Sequence, residues 1–267
     1  MFRDLPRAYV ALWFGSVVNR MGLLVVPMLT FYLQKKHDFT LAEAGEVVAL
    51  FGLGQACASL LGGQLADRIG RKATMLLALV GGGLLMLVFG SVQDPRWLAP
   101  LAFAVALVTE TYRPAVFSIV ADIVPPADRM RAYSLMYVAV NLGFAVAPAL
   151  AGVLARYDYR WLFYGNAAAN LCFAAIVLRF IPETMPARAP GAPTPTAFVA
   201  VLRDRAFMLF SLCGLLVALV MHQGGVSLAG TMAQQGHDEA TYGLVVGWNG
   251  LLIVLGQTDI AARIGGF

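Results

Sequence analysis

Three charged residues sit in the middle of long apolar runs: Arg20, Glu110 and Arg113. A carboxylate in such a place can exchange a proton, and a guanidinium can hold an anionic or hydrogen-bonding group. Glu110 and Arg113 are three residues apart, the spacing at which side chains on one helix face meet. Two readings stand open. In the first, a satisfied ion pair merely fixes one helix. In the second, Arg20 and Arg113 bind a ligand while Glu110 takes up and releases a proton. Asn19, Asn141, Asn166, Asn170, His222, Gln223 and Asn249, with Tyr112, Tyr137 and Trp248, are further polar or aromatic candidates for the same lining. Taken singly, each reads first as a helix-to-helix hydrogen bond. His222 stands out because histidine titrates near neutral pH.

A second constellation is a loop between two apolar runs, Gly63-Gln64-Leu65-Ala66-Asp67-Arg68-Ile69-Gly70-Arg71-Lys72. It gathers one acid and three bases, with glycines that let the chain turn sharply. Asp67 is placed to cap the incoming helix and to neutralise Arg68 or Arg71. No Walker lysine loop, no Cys/His metal spacing and no G-x-G-x-x-G after a strand is present, so an enzyme is not expected. No metal, cofactor or nucleic acid is implied. Cys57, Cys172 and Cys213 fall inside apolar runs without paired spacing and read as small buried residues.

The elements that must position these residues are membrane helices. Hydrophobic residues make up 60% of the chain and charged ones only 13%, against about a quarter in a soluble domain. Runs long enough to span a bilayer occur at 8–33, 41–65, 73–92, 97–124, 131–155, 160–181, 206–235 and 241–262. The first is too long for a signal-peptide core and should stay attached. With the N-terminus cytoplasmic, twelve of the nineteen Lys and Arg fall on the inside and five outside, namely Lys35, Lys36, Arg96, Arg156 and Arg160. That asymmetry favours a cytoplasmic N-terminus in a multi-pass cell-membrane protein. A proline-rich segment at 182–205 separates six helices (1–181) from two (206–267). Gln34-Lys35-Lys36-His37-Asp38 is echoed by Gln234-Gln235-Gly236-His237-Asp238, and Ala66–Gly70 more weakly by Ala261–Gly265. A period near 200 residues fits two parallel six-helix halves.

The pattern G-x-x-x-D-R-x-G-R-K in the loop resembles the signature loop between helices 2 and 3 of the major facilitator superfamily. The resemblance implies an all-α membrane fold of twelve helices, of which this chain would supply the six-helix N-terminal bundle and the first two helices of the second. The chain stops at Phe267, where a ninth helix should begin. Gly63, Asp67, Arg68, Gly70 and Arg71 would then form a cytoplasmic gate, with Asp122 pairing Arg71. Helices 1, 4, 7 and 10 would line the cavity that holds Arg20, Glu110 and Arg113. Ala139, Gly143, Ala147, Ala151 and Ala155 form a small-residue stripe on helix 5, expected to pack on helix 8 at Gly243 and Gly247. Gly45, Gly52, Ser59 and Ala66, with Ala56 and Gly63, form another on helix 2, expected to face helix 11. The segment Gly143–Gly152, centred on Pro148, resembles the proline motif of the family's antiporters, with Ala147 and Ala151 in place of glycines. Together these imply proton-coupled efflux of small amphipathic compounds, resembling the drug:proton antiporters. An organic-anion or metabolite transporter, or a non-transporting remnant, are the alternatives. Partners would be a small-molecule substrate, protons and the lipid bilayer.

Overall fold

The computed structural model describes residues 2, 5–185, 203–222, 227–248 and 251–252, the side chains of 220–222 excepted. Every regular element among the described residues is helical. Six segments are long and apolar enough to cross a membrane: Arg7–His37, Leu41–Ile69, Arg71–Ser91, Pro95–Ile123, Pro126–Tyr157 and Arg160–Phe180. They comprise α1 (Arg7–Met21), α2 (Val25–His37), α3 (Leu41–Ile69), α4 (Arg71–Ser91), α5 (Leu98–Glu110), α6 (Tyr112–Ile123), α7 (Arg129–Tyr157) and α8 (Arg160–Phe180). Beyond them lie α9 (Arg205–His222), α10 (Ser227–Gln234) and helical residues 239–248 and 251–252. Most of the proline-rich segment, the centre of the 206–235 run, Gln223, Asn249, the end of the 241–262 run and the Ala261–Gly265 echo lie outside the described residues.

Two runs expected to be single helices are each two. The first span breaks at Gly22–Leu24, and the fourth at Thr111. Proline removes one backbone donor and clashes with the carbonyl four residues earlier. Pro27 stands four residues after Leu23, and Pro114 four after Glu110. At each break the ladder tightens: the Leu23 N–H donates to the Arg20 carbonyl at 3.2 Å, and that of Thr111 to Val108 at 3.3 Å. Pro148 is accommodated inside α7. Elsewhere the ends are capped locally. Thr40 and Glu43 form a reciprocal capping box at the start of α3.

Packing divides the first six spans into two apolar layers with a polar one between. One buried cluster collects Leu24, Met28, Phe31, Tyr32, Phe89, Leu98, Val105 and Phe163. The other collects Tyr9, Leu12, Trp13, Met75, Leu79, Ile119, Phe173 and Val177. Between them, at mid-span, lie buried Asn19, Arg20, Thr109, Glu110, Asn141, Asn166 and Asn170. α1 packs on α7 and α8, α3 on α5 and α6, and α4 on α8. Two side-chain bonds pin α1 to α7 backbone: Tyr9 Oη donates to the Ala132 carbonyl at 2.8 Å, and Trp13 Nε1 to that of Leu135 at 2.7 Å.

Large apolar side chains cover the outside, among them Leu53, Leu60, Leu77, Leu84 and Leu178. A lipid-facing surface tolerates this because acyl chains are as apolar as leucine. The same reasoning corrects the cysteines. Cys172 and Cys213 are exposed and Cys57 half-buried, so apolar context did not mean burial within the protein.

Candidate functional site

Arg20, Glu110 and Arg113 meet in the polar layer, at the two helix breaks. Arg20 Nη1 lies 3.8 Å from Glu110 Oε1, and Arg113 Nη1 3.3 Å from Glu110 Oε2. Glu110 is 4% exposed, whereas Arg113 is 46% exposed and presents its guanidinium to open space. Each charge at mid-membrane costs about 2.5–3.5 kcal/mol on insertion scales. Two contacts at these distances offset about 4 kcal/mol each at an effective dielectric near 20. The triad is therefore close to balance and carries one uncompensated positive charge when Glu110 is ionised. Stability alone gives no reason for it.

A hydrogen-bonded chain continues from the triad. Arg20 Nη2 donates to Tyr112 Oη at 2.7 Å, and Tyr112 Oη donates to Asn19 Oδ1 at 2.7 Å. Asn19 Nδ2 then donates to Asn170 Oδ1 at 2.6 Å, and Asn170 Nδ2 to Asn166 Oδ1 at 3.4 Å. Asn166 Nδ2 and Thr109 Oγ1 end the layer as buried groups without a partner among the described residues. Gly143 of α7 lets the backbones touch here, since a Cβ on it would come within 2.3 Å of Arg20 Cβ. Asn141 is buried but stays apart: its Nδ2 donates to the Tyr137 carbonyl of its own helix at 2.9 Å. Tyr137 and Trp248 are exposed. The His222 side chain lies outside the described residues.

The Gly63–Lys72 stretch, expected as a loop, is helical up to Ile69 and again from Arg71, so the chain turns at Gly70 alone. Asp67 is exposed and makes no ion pair or hydrogen bond among the described residues, and Arg68 is exposed beside it. Asp67 does not cap the helix because that work falls to Glu183. The Glu183 carboxylate accepts the backbone N–H of Arg71 at 2.8 Å and that of Lys72 at 3.1 Å, at the start of α4. Gly70 is required there: its φ is +103°, and a Cβ would meet Glu183 Oε2 at 2.5 Å. Partial burial pushes the Glu183 carboxyl up. The backbone N–H groups of Arg71, Met185, Thr184 and Ala73 outweigh that and hold it below the usual carboxylate range. Arg71 forms an ion pair with Asp122 and also reaches Thr184. Gly63 has open space around it.

The expected approach of residues 239–248 to α7 at Gly243 and Gly247 is present, on a face beside the small-residue stripe. Gly143 of the stripe seats Arg20, and Ala147, Ala151 and Ala155 share a buried cluster with α2 and with Ala229, Met232 and Tyr242. The contact with 239–248 uses a neighbouring face of α7. Gly243 approaches the Pro148 carbonyl, Gly247 that of Ala145, and Gly152 that of Glu239, each closer than a Cβ would allow. On α3, Gly54 and Gly62 pack on the Phe103 and Thr111 carbonyls, whereas Gly52 and Gly63 meet nothing among the described residues.

Sequence reasoning missed a cluster at the opposite end of the bundle. Lys35 Nζ lies 2.8 Å from Glu239 Oε1, Tyr159 Oη donates to the same oxygen, and Arg156 forms an ion pair with Asp238. The repeated His-Asp pair at 37–38 and 237–238 was the signal that could have found it. No group of three or more His, Cys, Asp or Glu able to hold a metal ion occurs among the described residues.

Comparison with known proteins agrees with this architecture. A sequence-family model described as Major Facilitator Superfamily matches residues 12–266. The chain is 30% identical to the MFS-type transporter YttB of Bacillus subtilis, over 95% of this chain and 64% of that protein. It is 26% identical to a Na(+), Li(+), K(+)/H(+) antiporter of Planococcus maritimus, over 89% of this chain and 64% of the other. It is 28% identical to the quinolone resistance protein NorA of Staphylococcus aureus, over 70% of this chain and 47% of NorA. The chain thus spans less than two thirds of these relatives. Among solved structures, an inward-facing, unoccupied bacterial homologue of the lysosomal transporter Spinster gives a TM-score of 0.69 at 16% identity, over 96% of this chain and 62% of the other. A D-xylose–proton symporter gives 0.62 at 13% identity, over 97% and 69%.

Proposed function

The chain belongs to the major facilitator superfamily, and on that premise we propose that it is the first six-helix bundle, linker and start of the second bundle of a proton-coupled secondary transporter. It moves a small amphipathic compound outward by alternating access, with the N-terminus in the cytoplasm. The observation that carries this reading is Glu110, buried between two arginines in the polar layer, with Arg113 open on one side. In this reading Glu110 exchanges the coupling proton, and Arg20 and Arg113 take the polar group of the substrate. The names of the Planococcus antiporter and of NorA support exchange and drug efflux at the level of distant relatives.

The test is proton movement driven by ethidium, an amphipathic cation, in vesicles containing the protein. Glu110→Gln should lower coupled flux at least tenfold while membrane insertion is kept. Unchanged coupled flux would remove Glu110 from the mechanism. Because Glu110→Gln leaves Arg20 without its countercharge, Arg20→Gln with Glu110→Gln serves as a charge-balanced control for folding.

A second reading is favoured by the uncompensated positive charge of the triad. Arg20 and Arg113 would bind an organic anion directly. Carboxyfluorescein flux lost in Arg20→Ala, with ethidium not transported, supports it. Ethidium transport indifferent to Arg20→Ala excludes it.

A further inference from the structure

The end of the bundle that carries Arg71 and Lys72 also holds a cavity of about 360 Å3 unconnected with the triad. Arg7, Val10, Ala11 and Phe14 of α1 line one wall, and Ile176 and Phe180 of α8 the other. The four α1 residues are spaced i, i+3, i+4 and i+7, so they form a single face. Arg20, by contrast, lies about 120° round the helix from Phe14 at 3.6 residues per turn, on the side that meets Tyr112. The cavity therefore faces away from the polar layer and toward the surroundings of the bundle.

Its walls are almost wholly apolar, with Arg7 at one end. Arg7 is the first residue of α1 and Phe180 the last of α8, so Arg7 stands where the two spans leave the bilayer core. The Arg179 guanidinium lies 5.4 Å from the Phe180 ring centroid and adds a second positive charge at the mouth. From Arg7 to Phe14 the groove runs roughly 10 Å into the membrane, at 1.5 Å per residue. Phe14 and Phe180 are both about half exposed, so the groove opens sideways. The α8 end is held firmly: Lys72 Nζ bonds the Leu178 carbonyl at 2.9 Å, and Glu183 caps α4 just beyond.

We propose that this groove binds one anionic phospholipid, with its phosphate at Arg7 and an acyl chain along Val10, Ala11, Phe14, Ile176 and Phe180. A basic group over an apolar cleft between spans matches both parts of such a molecule. A free anion would find only the guanidinium, and a neutral lipid only the cleft. The charge sits on the end rich in Lys and Arg, where an anionic leaflet would face it.

The test is native mass spectrometry of the purified chain with phosphatidylglycerol or phosphatidylcholine. The parent should retain one phosphatidylglycerol at collision energies that strip phosphatidylcholine. Arg7→Gln should lower phosphatidylglycerol retention about tenfold and leave phosphatidylcholine unchanged. Ala11→Phe, which fills the cleft, should lower both. Arg129→Gln removes the same charge from the same end outside the groove and should retain the lipid as the parent does. Inorganic phosphate at millimolar concentration should not displace it. Equal retention of the two lipids by the parent, an Arg7→Gln protein that behaves as the parent, an equal loss in Arg129→Gln, or displacement by phosphate would each overturn the assignment.

Discussion

A tyrosine hydroxyl decides how near Arg20 comes to Glu110. At 3.8 Å the two are beyond hydrogen-bond distance, while the Arg20 contact to Tyr112 is a full bond at 2.7 Å. Tyr112→Phe keeps the ring against Phe173 and deletes the hydroxyl that accepts from Arg20 and donates to Asn19. Side-chain bonds between membrane helices average about 0.6 kcal/mol and reach about 1.7. The expected loss is therefore about 1 kcal/mol, or roughly 2–4 °C in the unfolding midpoint in detergent. An unchanged midpoint would show that the hydroxyl does not anchor Arg20. The charged members of this site were legible in the sequence, because a charge inside an apolar run has few innocent explanations. Tyr112 was legible only as a candidate, since spacing does not say where a hydroxyl points. Asn141 was placed with the cavity and instead bonds its own helix, a solution open to any polar residue with a carbonyl four positions back. Asp67 was given the capping role of Glu183, which lies more than a hundred residues away in sequence and so outside any local pattern.

The element that best separates close packing from open surface is α3. A Cβ at Gly62 would come within 2.4 Å of the Thr111 carbonyl, at the kink that Pro114 makes. Gly52 and Gly63 have nothing within 4 Å among the described residues. Gly62→Val should cost about 1–3 kcal/mol through overpacking and lower the yield of folded protein. Gly52→Ala should be neutral or stabilising by up to about 1 kcal/mol, because alanine favours helix over glycine and no neighbour objects. Thermal unfolding of the two variants in one detergent decides it, and equal destabilisation would mean that both faces are packed. The long spans were readable from hydropathy, but their interruptions were not. Hydropathy counts Pro27 and Pro114 as tolerable residues in an apolar run and does not register the donor each removes. The small stripes were also readable, yet periodicity says that some helix comes close without saying which. On α7, Gly143 of the stripe seats Arg20, and residues 239–248 approach the adjoining face through the expected Gly243 and Gly247.

At the scale of the molecule, the two parts of the chain are tied together at the end away from the signature loop. Lys35 and Tyr159 hold Glu239, Arg156 holds Asp238, Phe31 stacks obliquely on Tyr242 at 5.5 Å, and Gly230 sits against Leu41. α9, in contrast, turns Phe207, Leu209, Phe210 and Leu216 outward. The repeated segments at 34–38 and 234–238 were visible in the sequence, but not that Lys35 meets Glu239, because a contact across 200 residues leaves no local trace. If this contact holds the far end shut, Glu239→Lys should open it by setting two ammonium groups together. The doubly changed Lys35→Glu, Glu239→Lys protein should close it again. Lys35 is half exposed, so the effect should be modest, about 1 kcal/mol or a fivefold change in the open population. Spin labels at Gln93 and Gln235, both exposed, would read the separation. Acidification provides an independent check. The hydroxyl and backbone N–H of Thr241, helped by Arg156, hold the Asp238 carboxyl down to about 2, from an ordinary 3.8. A depressed carboxylate contributes its full stabilisation above the ordinary value and loses it as pH falls through the lowered one. The Asp238 part of the contact should therefore be unchanged between pH 8 and pH 5. A label separation that widens within that window in the parent, and equally in Asp238→Asn, would move the trigger from Asp238 to another group of the cluster.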